Sequence, residues 1–466
     1  MLFSMGLGAR LTKMMDGNLL EKFIWIEITL SILASFVSLI IYTIATYTIY
    51  TGFAIYSLSI IIGLLIGMEI PLVIRINDQF EALKINVSSM MENDYYGSLL
   101  GGMFFAFIGL PFLGLTYTPF VLGFVNYSVA IVLLIVLWKD LKQQVKSRLG
   151  VANALVFVFL FTGILNANKV IDHGEEMRYK DRVIYSKQTK YQKLVITQSN
   201  EDYWLFINGN QQLSTVDEIM YHEPLVHPLL KLHPHPKDIL ILGGGDGCAA
   251  REILKYKSVQ NITLVDLDPE MTRIAAEHPV LSEINQHAME HEKITVINRD
   301  GYAFLEDKKN YYDIVIIDLP DPKTIELGRL YSYEFYKLCY KSLRPNGLIV
   351  TQAGSPYFAA RAYKCIDMTM SEAGFATVPI HNQVITLGEW GWILGAKNLS
   401  KTQFKNALVQ LEFEDIPTKW ISNEAMTLMT SFGKDFTEDA KESVEVNTIH
   451  NPVLFNYYLK GDWDLY

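Results

Sequence analysis

Cysteine is scarce in this chain: Cys248, Cys339 and Cys365 are the only three in 466 residues, scattered and odd in number. That excludes a disulfide framework and cysteine-based metal sites, and it points to a reducing compartment. Charge is scarce at the front. Residues 1–167 carry nine Lys/Arg and nine Asp/Glu, so the net charge of −10 falls wholly on the remainder. No basic excess favours a nucleic-acid partner, and none is expected. Residues 1–22 are mixed and lack the short apolar core of a cleavable signal. Metal-ligand spacing is missing too. His222, His227, His233 and His235 are interrupted by prolines at 228, 234 and 236 and read as a loop before the first sheet strand, so no metal is expected.

Long apolar runs, by contrast, are abundant. Stretches at 23–50, 53–76, 98–116, 119–138 and 151–167 approach the length a bilayer-spanning helix needs and read as four or five spans. Glu69 and Asp94 are acids near the membrane, read either as facing a polar interior or as helix-terminal acids at the interface. Gly101, Gly102, Gly109 and Gly114 suit close helix packing. The basic loop of Lys139, Lys142, Lys146 and Arg148, with Arg10, Lys13 and Lys22 before the first span, places both ends in the cytoplasm. A complete crossing at 151–167 would then put the remainder outside. The expectation is an integral protein of the cell (plasma) membrane, in contact with the lipid bilayer, with a cytoplasmic catalytic part.

The most informative run is DILILGGGDGCAAREIL, residues 238–254: a buried apolar strand, a glycine-rich turn and a helix start. Gly243, Gly244, Gly245 and Gly247 allow a sharp turn and close ligand approach. About twenty residues later NITLVDLD ends a strand on Asp266, where a Rossmann-like unit places a carboxylate on ribose hydroxyls. Asp246 occupies the helix start where a phosphate would sit. Acids at 246 and 266 favour a cationic, hydroxyl-rich sulfonium nucleoside over a dinucleotide. DILIL, NITLVD, KITVIN, YDIVIID, GLIVTQ and WGWILGA alternate with helical stretches, so the fold class is α/β: a multi-span helical membrane region, a small β-sheet domain and a Rossmann-like, class I methyltransferase-type doubly wound sheet. The expected boundaries are 1–170 transmembrane, 171–216 small β domain, 217–397 Rossmann-like domain and 398–466 helical extension, in which no chemistry is identified.

Seven ordered motifs, YQKLVI at 191, FINGNQQLS at 206, DEIMYHEPLVHP at 217, GGGDG at 243, VDLDP at 265, RDGYAFL at 299 and IIDLPDP at 316, make the chain resemble the polyamine aminopropyltransferases, with spermidine synthase as type. It is similar in particular to members with a membrane-embedded N-terminal region. The resemblance implies that Gln192, Gly243, Gly245, Asp266, Asp300 and Gly301 contact the nucleoside co-substrate, decarboxylated S-adenosylmethionine. No permanently bound cofactor is implied. It implies Tyr221, His222, Asp246 and Asp321 at the amine or aminopropyl end, and Asp318 as proton acceptor. Soluble relatives usually form dimers or tetramers, so a homodimer or homotetramer is implied.

Two carboxylates suit this chemistry because an alkylamine near pKa 10.4 is an unreactive ammonium at neutral pH. Asp318 and Asp321, three apart at a strand end, can orient a dication and take its proton. Alone, the pair could equally cap the helix containing LYSYEFYKL. The chain departs from the family pattern in its flap, DPKTIELGRLYS, and near HNQVITLGEWGW, where Ile385 stands close to the place of a pocket tyrosine and Trp390 or Trp392 is a candidate substitute. The acceptor is thus left open between putrescine, a longer polyamine and another amine. An adenosylmethionine-dependent methyltransferase and a silent polyamine sensor or transporter are the alternatives. Asp246 disfavours the methyltransferase, because an acid there repels the carboxylate of intact adenosylmethionine.

Overall fold

A computed structural model describes residues 1–48, 50–78, 83–179, 181–433 and 444–463. The chain divides into two compact units, Met1–Arg182 and Val183–Tyr466. The stretches 434–443 and 464–466 of the expected C-terminal extension lie outside the described residues.

The first unit is helical. A short helix α1 (Leu2–Leu11) precedes α2 (Leu19–Tyr47), α3 (Thr51–Asn77), α4 (Leu83–Phe104), α5 (Gly114–Val136) and α6 (Gln143–Arg178). Four helical stretches among the described residues are long and apolar enough to cross a membrane: Leu19–Ala45, Thr51–Asn77, Leu83–Val136 and Gln143–Ile171. The two expected runs at 98–116 and 119–138 fall within a single 54-residue stretch, broken where Gly114 adopts φ +64° after a π-helical segment at Phe105–Leu113. The run at 151–167 is the middle of a 36-residue helix.

Small residues set the packing here, though not all of those expected. A methyl at Gly8, Gly67 or Gly123 would overlap backbone of Leu64, Met5 or Ser31, and one at Gly109 would meet Thr118, whereas Gly101, Gly102 and Gly114 face open space. Glu69 is half-buried inside α3 and Asp94 is exposed inside α4, so neither is a helix-terminal acid. Among the described residues, the most buried acid of this unit is Glu27, at 4 % exposure in α2.

The second unit opens with a four-stranded antiparallel sheet, β1 (Arg182–Gln188), β2 (Lys193–Ser199), β3 (Asp202–Ile207) and β4 (Asn210–Ser214). Asn208 and Gly209, both at positive φ, form the turn into β4, as an Asn-Gly pair does in a two-residue hairpin. A seven-stranded sheet follows: β5 (Asp238–Gly243), β6 (Asn261–Asp266), β7 (Ile294–Asn298), β8 (Tyr312–Asp318), β9 (Leu343–Gly354), β10 (Ala376–Val384) and β11 (Gly388–Ala396), in the order β10-β11-β9-β8-β5-β6-β7. The pairs from β9 to β7 are parallel, and β10 and β11 are antiparallel additions. Ile239 to Leu242 and Ile314 to Ile317 are all fully buried, as central strands covered on both faces must be. The strand at β10 escapes the sequence pattern because it carries Pro379, which suits it to the edge position it takes.

The chain order reverses between β5 and β8. Ligands of open α/β sheets bind at such a point, outside the carboxyl ends of the strands.

Contrary to expectation, the first half of the histidine-rich segment is a helix, α7 (Glu218–Leu232), with Pro224 and Pro228 inside it and His222 and His227 buried, whereas His233 and His235 lie in the expected loop before β5. Proline removes an amide and frees the carbonyl four residues back. The Met220 carbonyl freed by Pro224 accepts from Asn382 Nδ2 at 2.8 Å, which is how the helix tolerates it. Asn382→Leu leaves that carbonyl unpaired and is expected to cost about 1–3 kcal/mol, read as a lower denaturant midpoint at unchanged slope.

Candidate active site

Three strand ends converge at the switch point. Gly243 of β5 pairs in register with Asp318 of β8, and Gly244 N–H donates to the Asp318 carbonyl at 2.9 Å. Gly243 sits at φ +80°, and a Cβ there would overlap Asp318 backbone, so only glycine fits. A Cβ at Gly245 would collide with the Asp266 carboxylate at the end of β6. The glycine turn thus holds both acids close to the chain.

Asp318 Oδ1 accepts from the Tyr221 hydroxyl at 2.7 Å. Ligating atoms of His222, Asp246 and Asp318 all lie within 4.8 Å of one another. Burial, then the charge of Asp246, pushes the Asp318 carboxyl up to about 6, against the opposing pull of His222 and Tyr221. Asp266 is also pushed up to about 6, first by burial and then by Asp268 and Asp246, while backbone amides oppose the shift. Burial holds Tyr221 far above the ordinary phenol range, so it stays a donor.

His222 has the opposite sign. Burial disfavours its charge, but the hydrogen bond to Glu218 and the charges of Asp246, Glu218 and Asp318 outweigh burial and raise it to about 9. Its Nδ1 lies 2.9 Å from Glu218 Oε2, and its Nε2 lies 3.9 Å from Asp246 Oδ1. Glu218 in turn receives Arg251 through both terminal nitrogens, at 2.8 and 2.9 Å. An imidazolium therefore stands amid the acids, and neutralising it would leave them uncompensated.

Asp246 accepts from Cys248 N–H at 2.8 Å, at the start of the helix Cys248–Leu254. The carboxylate supplies its own anion where a phosphate would otherwise dock. Burial raises the Cys248 thiol well above its ordinary range, which makes it a poor thiolate ligand. Glu218–His222–Cys248 and Glu223–His227–Glu252 also have ligand-like spacing. Their carboxylates are already satisfied, by Arg251 at Glu218, by three backbone amides at Glu223 and by His227, Arg251 and Lys255 at Glu252.

The remaining candidates frame this centre. Gln192 sits in a loop whose Thr189 hydroxyl donates to Asp268 Oδ2 at 2.8 Å, two residues beyond Asp266. Arg299 N–H donates to the Asp266 carbonyl, which brings Asp300 and Gly301 alongside. Asp300 is not an open acid: one oxygen caps its own short helix at Ala303 and the other pairs with Arg329 at 2.6 Å. Ser332 and Thr324 cap the helices after the strand end, so Asp318 and Asp321 are not needed as caps.

Residues 218–406 match the Spermine/spermidine synthase domain. The chain is 36% identical, over its full length and 90% of the relative's, to a polyamine aminopropyltransferase of Oceanobacillus iheyensis. It is 37% identical to one of Leptospira interrogans, covering 98% of this chain and 89% of that one. The chain belongs to the polyamine aminopropyltransferase family. A crystal structure of spermidine synthase in complex with the transition state analogue AdoDATO aligns with TM-score 0.51 at 26% identity, covering 56% of this chain and 89% of that one.

Within this aminopropyltransferase the pocket near Ile385 differs from expectation. Ile385 lies 64 % exposed in the β10–β11 turn, and Trp390 is buried. Trp392 is fully buried with its edge toward the Tyr221 ring, centroids 5.4 Å apart, so it backs Tyr221 instead of replacing a tyrosine. A tyrosine hydroxyl does reach Asp321 from the C-terminal segment, where no chemistry was expected: Tyr458, in the helix Leu454–Leu459, donates to Asp321 Oδ2 at 2.7 Å. The only signal for it was the aromatic run FNYYL. Glu218 and Arg251 were missed as well, their pairing being 33 residues apart.

Because His222 is raised from 6.5 to about 9 on folding, the stability it contributes is fully present below pH 6.5 and lost as pH rises through about 9. Melting temperature is expected to fall across that window, and Glu218→Gln to flatten the fall while lowering stability at every pH.

Proposed function

We propose that the chain transfers the aminopropyl group of decarboxylated S-adenosylmethionine to putrescine or a related amine, giving spermidine and methylthioadenosine, with Asp318 as proton acceptor. The observation that carries this reading is the cluster of Asp246 and Asp318 around His222, with Asp321 three residues on, at the carboxyl ends of β5 and β8. The acids attract cations, and membership of the family supplies the reaction class.

In this scheme Asp321 and Asp246 hold ammonium groups, and Asp266 holds the ribose. The acceptor nitrogen attacks the carbon next to the sulfonium. The new N–C bond forms as the C–S bond breaks, its electron pair neutralises sulfur, and Asp318 takes the nitrogen's proton. Tyr221 fixes the Asp318 carboxylate and stabilises its ionised form. A base pushed up to about 6 is ionised at neutral pH yet more basic than an ordinary carboxylate, which suits proton removal. Asp246 favours the decarboxylated co-substrate over intact adenosylmethionine, whose carboxylate it would repel.

We place the second unit in the cytoplasm, where adenosyl substrates are made. This requires an even number of crossings after Arg10, which the four long apolar stretches provide. It also sets the Lys139–Arg148 loop on the far face, against the usual bias of basic loops.

Asp318→Asn is expected to lower turnover to methylthioadenosine by about 10²–10⁴-fold while leaving nucleoside affinity within a few-fold; undiminished turnover would remove Asp318 from its role. In the wild type, amine binding weakens as pH falls through about 6, because Asp318, beside the acceptor nitrogen, takes up a proton there. Calorimetry near pH 6, in buffers of different ionisation enthalpy, should show protons released on amine binding and fewer released in Asp318→Asn.

A further inference from the structure

Two groups without an assigned role meet at Asp321. One is the Tyr458 hydroxyl on Oδ2. The other is Lys323, from the flap that departs from the family pattern: its Nζ lies 3.8 Å from the same oxygen, 2.6 Å from Asn210 Oδ1 and 5.7 Å from the Tyr458 ring centroid. Gly354, whose φ of +69° favours glycine, lies beside this arrangement, with the Tyr458 ring at contact distance. Asp321 itself is only 12 % exposed; its Oδ1 is buried and makes no close hydrogen bond among the described residues, with the Gln352 side chain as its neighbouring donor. Oδ2 is therefore engaged by Tyr458 and Lys323, and Oδ1 is the oxygen less fully satisfied by the chain's own donors.

We propose that Lys323 and Tyr458 form the far wall of the acceptor site and restrict the acceptor to a short diamine, the Lys323 ammonium excluding any acceptor with a further positive charge beyond the one held by Asp321. The proposal rests on the reading of Asp321 as the amine-binding acid. A diamine presents its reacting nitrogen to Asp318 and one ammonium to Asp321. A triamine such as spermidine carries a second ammonium past Asp321, toward a cation already anchored there by Asn210. Like charges a few ångströms apart in a partly desolvated site repel strongly, and specificity of this kind comes from the repulsive element as much as from the attractive one. Tyr458 acts as a positioning residue: it fixes the Asp321 carboxylate for the acceptor and carries no charge that distinguishes one amine from another.

The test compares putrescine with spermidine as acceptor in the wild type, Lys323→Met and Tyr458→Phe. Lys323 is 36 % exposed, so Met in its place removes the charge without opening the core. The wild type is expected to favour putrescine in kcat/KM by about tenfold or more, and Lys323→Met to shrink that preference by about tenfold through a lower KM for spermidine. Tyr458→Phe is expected to raise both KM values alike and keep the preference. A wild type indifferent to the two amines, or a preference unchanged in Lys323→Met, overturns the proposal. Absence of turnover with both amines would count against the transfer reaction instead. The calorimetric affinities of the two amines for wild type and Lys323→Met then decide the inference on the same criterion.

Discussion

Everything at this site depends on the cost of gathering carboxylates at the end of a parallel sheet. Asp246 and Asp318 lie side by side with Asp266 close by, each at least half-buried. Like charges in such a place raise one another's pKa and would partly neutralise. One internal cation, His222, offsets them, and hydrogen bonds from Tyr221 and from the Cys248 amide hold them. In the proposed reaction the residual deficit of positive charge is what a sulfonium and an ammonium would supply on binding. The unliganded arrangement is held by His222 and these hydrogen bonds against the repulsion of its own acids.

A second layer keeps that balance in place. Glu218 keeps His222 charged and is itself held by Arg251, which also reaches Glu252 and the Ile284 carbonyl. Because these groups are buried, breaking one link leaves an uncompensated charge, which is far costlier than losing a surface pair. The same logic explains the glycine turn: side chains at 243 and 245 would push the Asp318 and Asp266 strand ends away from the chain.

Much of this is legible from sequence, for identifiable reasons. DILILGGG and YDIVIID read as buried strands because a central parallel strand must be apolar on both faces, and the acids ending them mark the carboxyl edge of the sheet. The order of motifs around Asp246, Asp266 and Asp318 is itself enough to point to the family. What stayed hidden depends on partners distant in sequence. Two prolines argue locally against a helix at 218–232, and only Asn382, 162 residues away, satisfies the carbonyl that Pro224 frees. Tyr458 reaches Asp321 across 137 residues, so its segment looked like inert capping. β4 was masked by its polar sequence, NQQLS, and β10 by an edge proline. The pairing of Asp300 with Arg329, 29 residues on, has no local signal either. Gly101, Gly102 and Gly114 read as packing residues, yet they face open space.

The most direct measurement of the central claim, that buried acids here select cations, is the affinity of the purified protein for decarboxylated against intact adenosylmethionine, in the wild type and in Asp246→Asn. The two ligands differ by a single carboxylate. The wild type is expected to bind the decarboxylated form tighter by about tenfold or more, with the gap narrowing in Asp246→Asn. Equal affinity in the wild type, or a gap that Asp246→Asn leaves untouched, would contradict the claim.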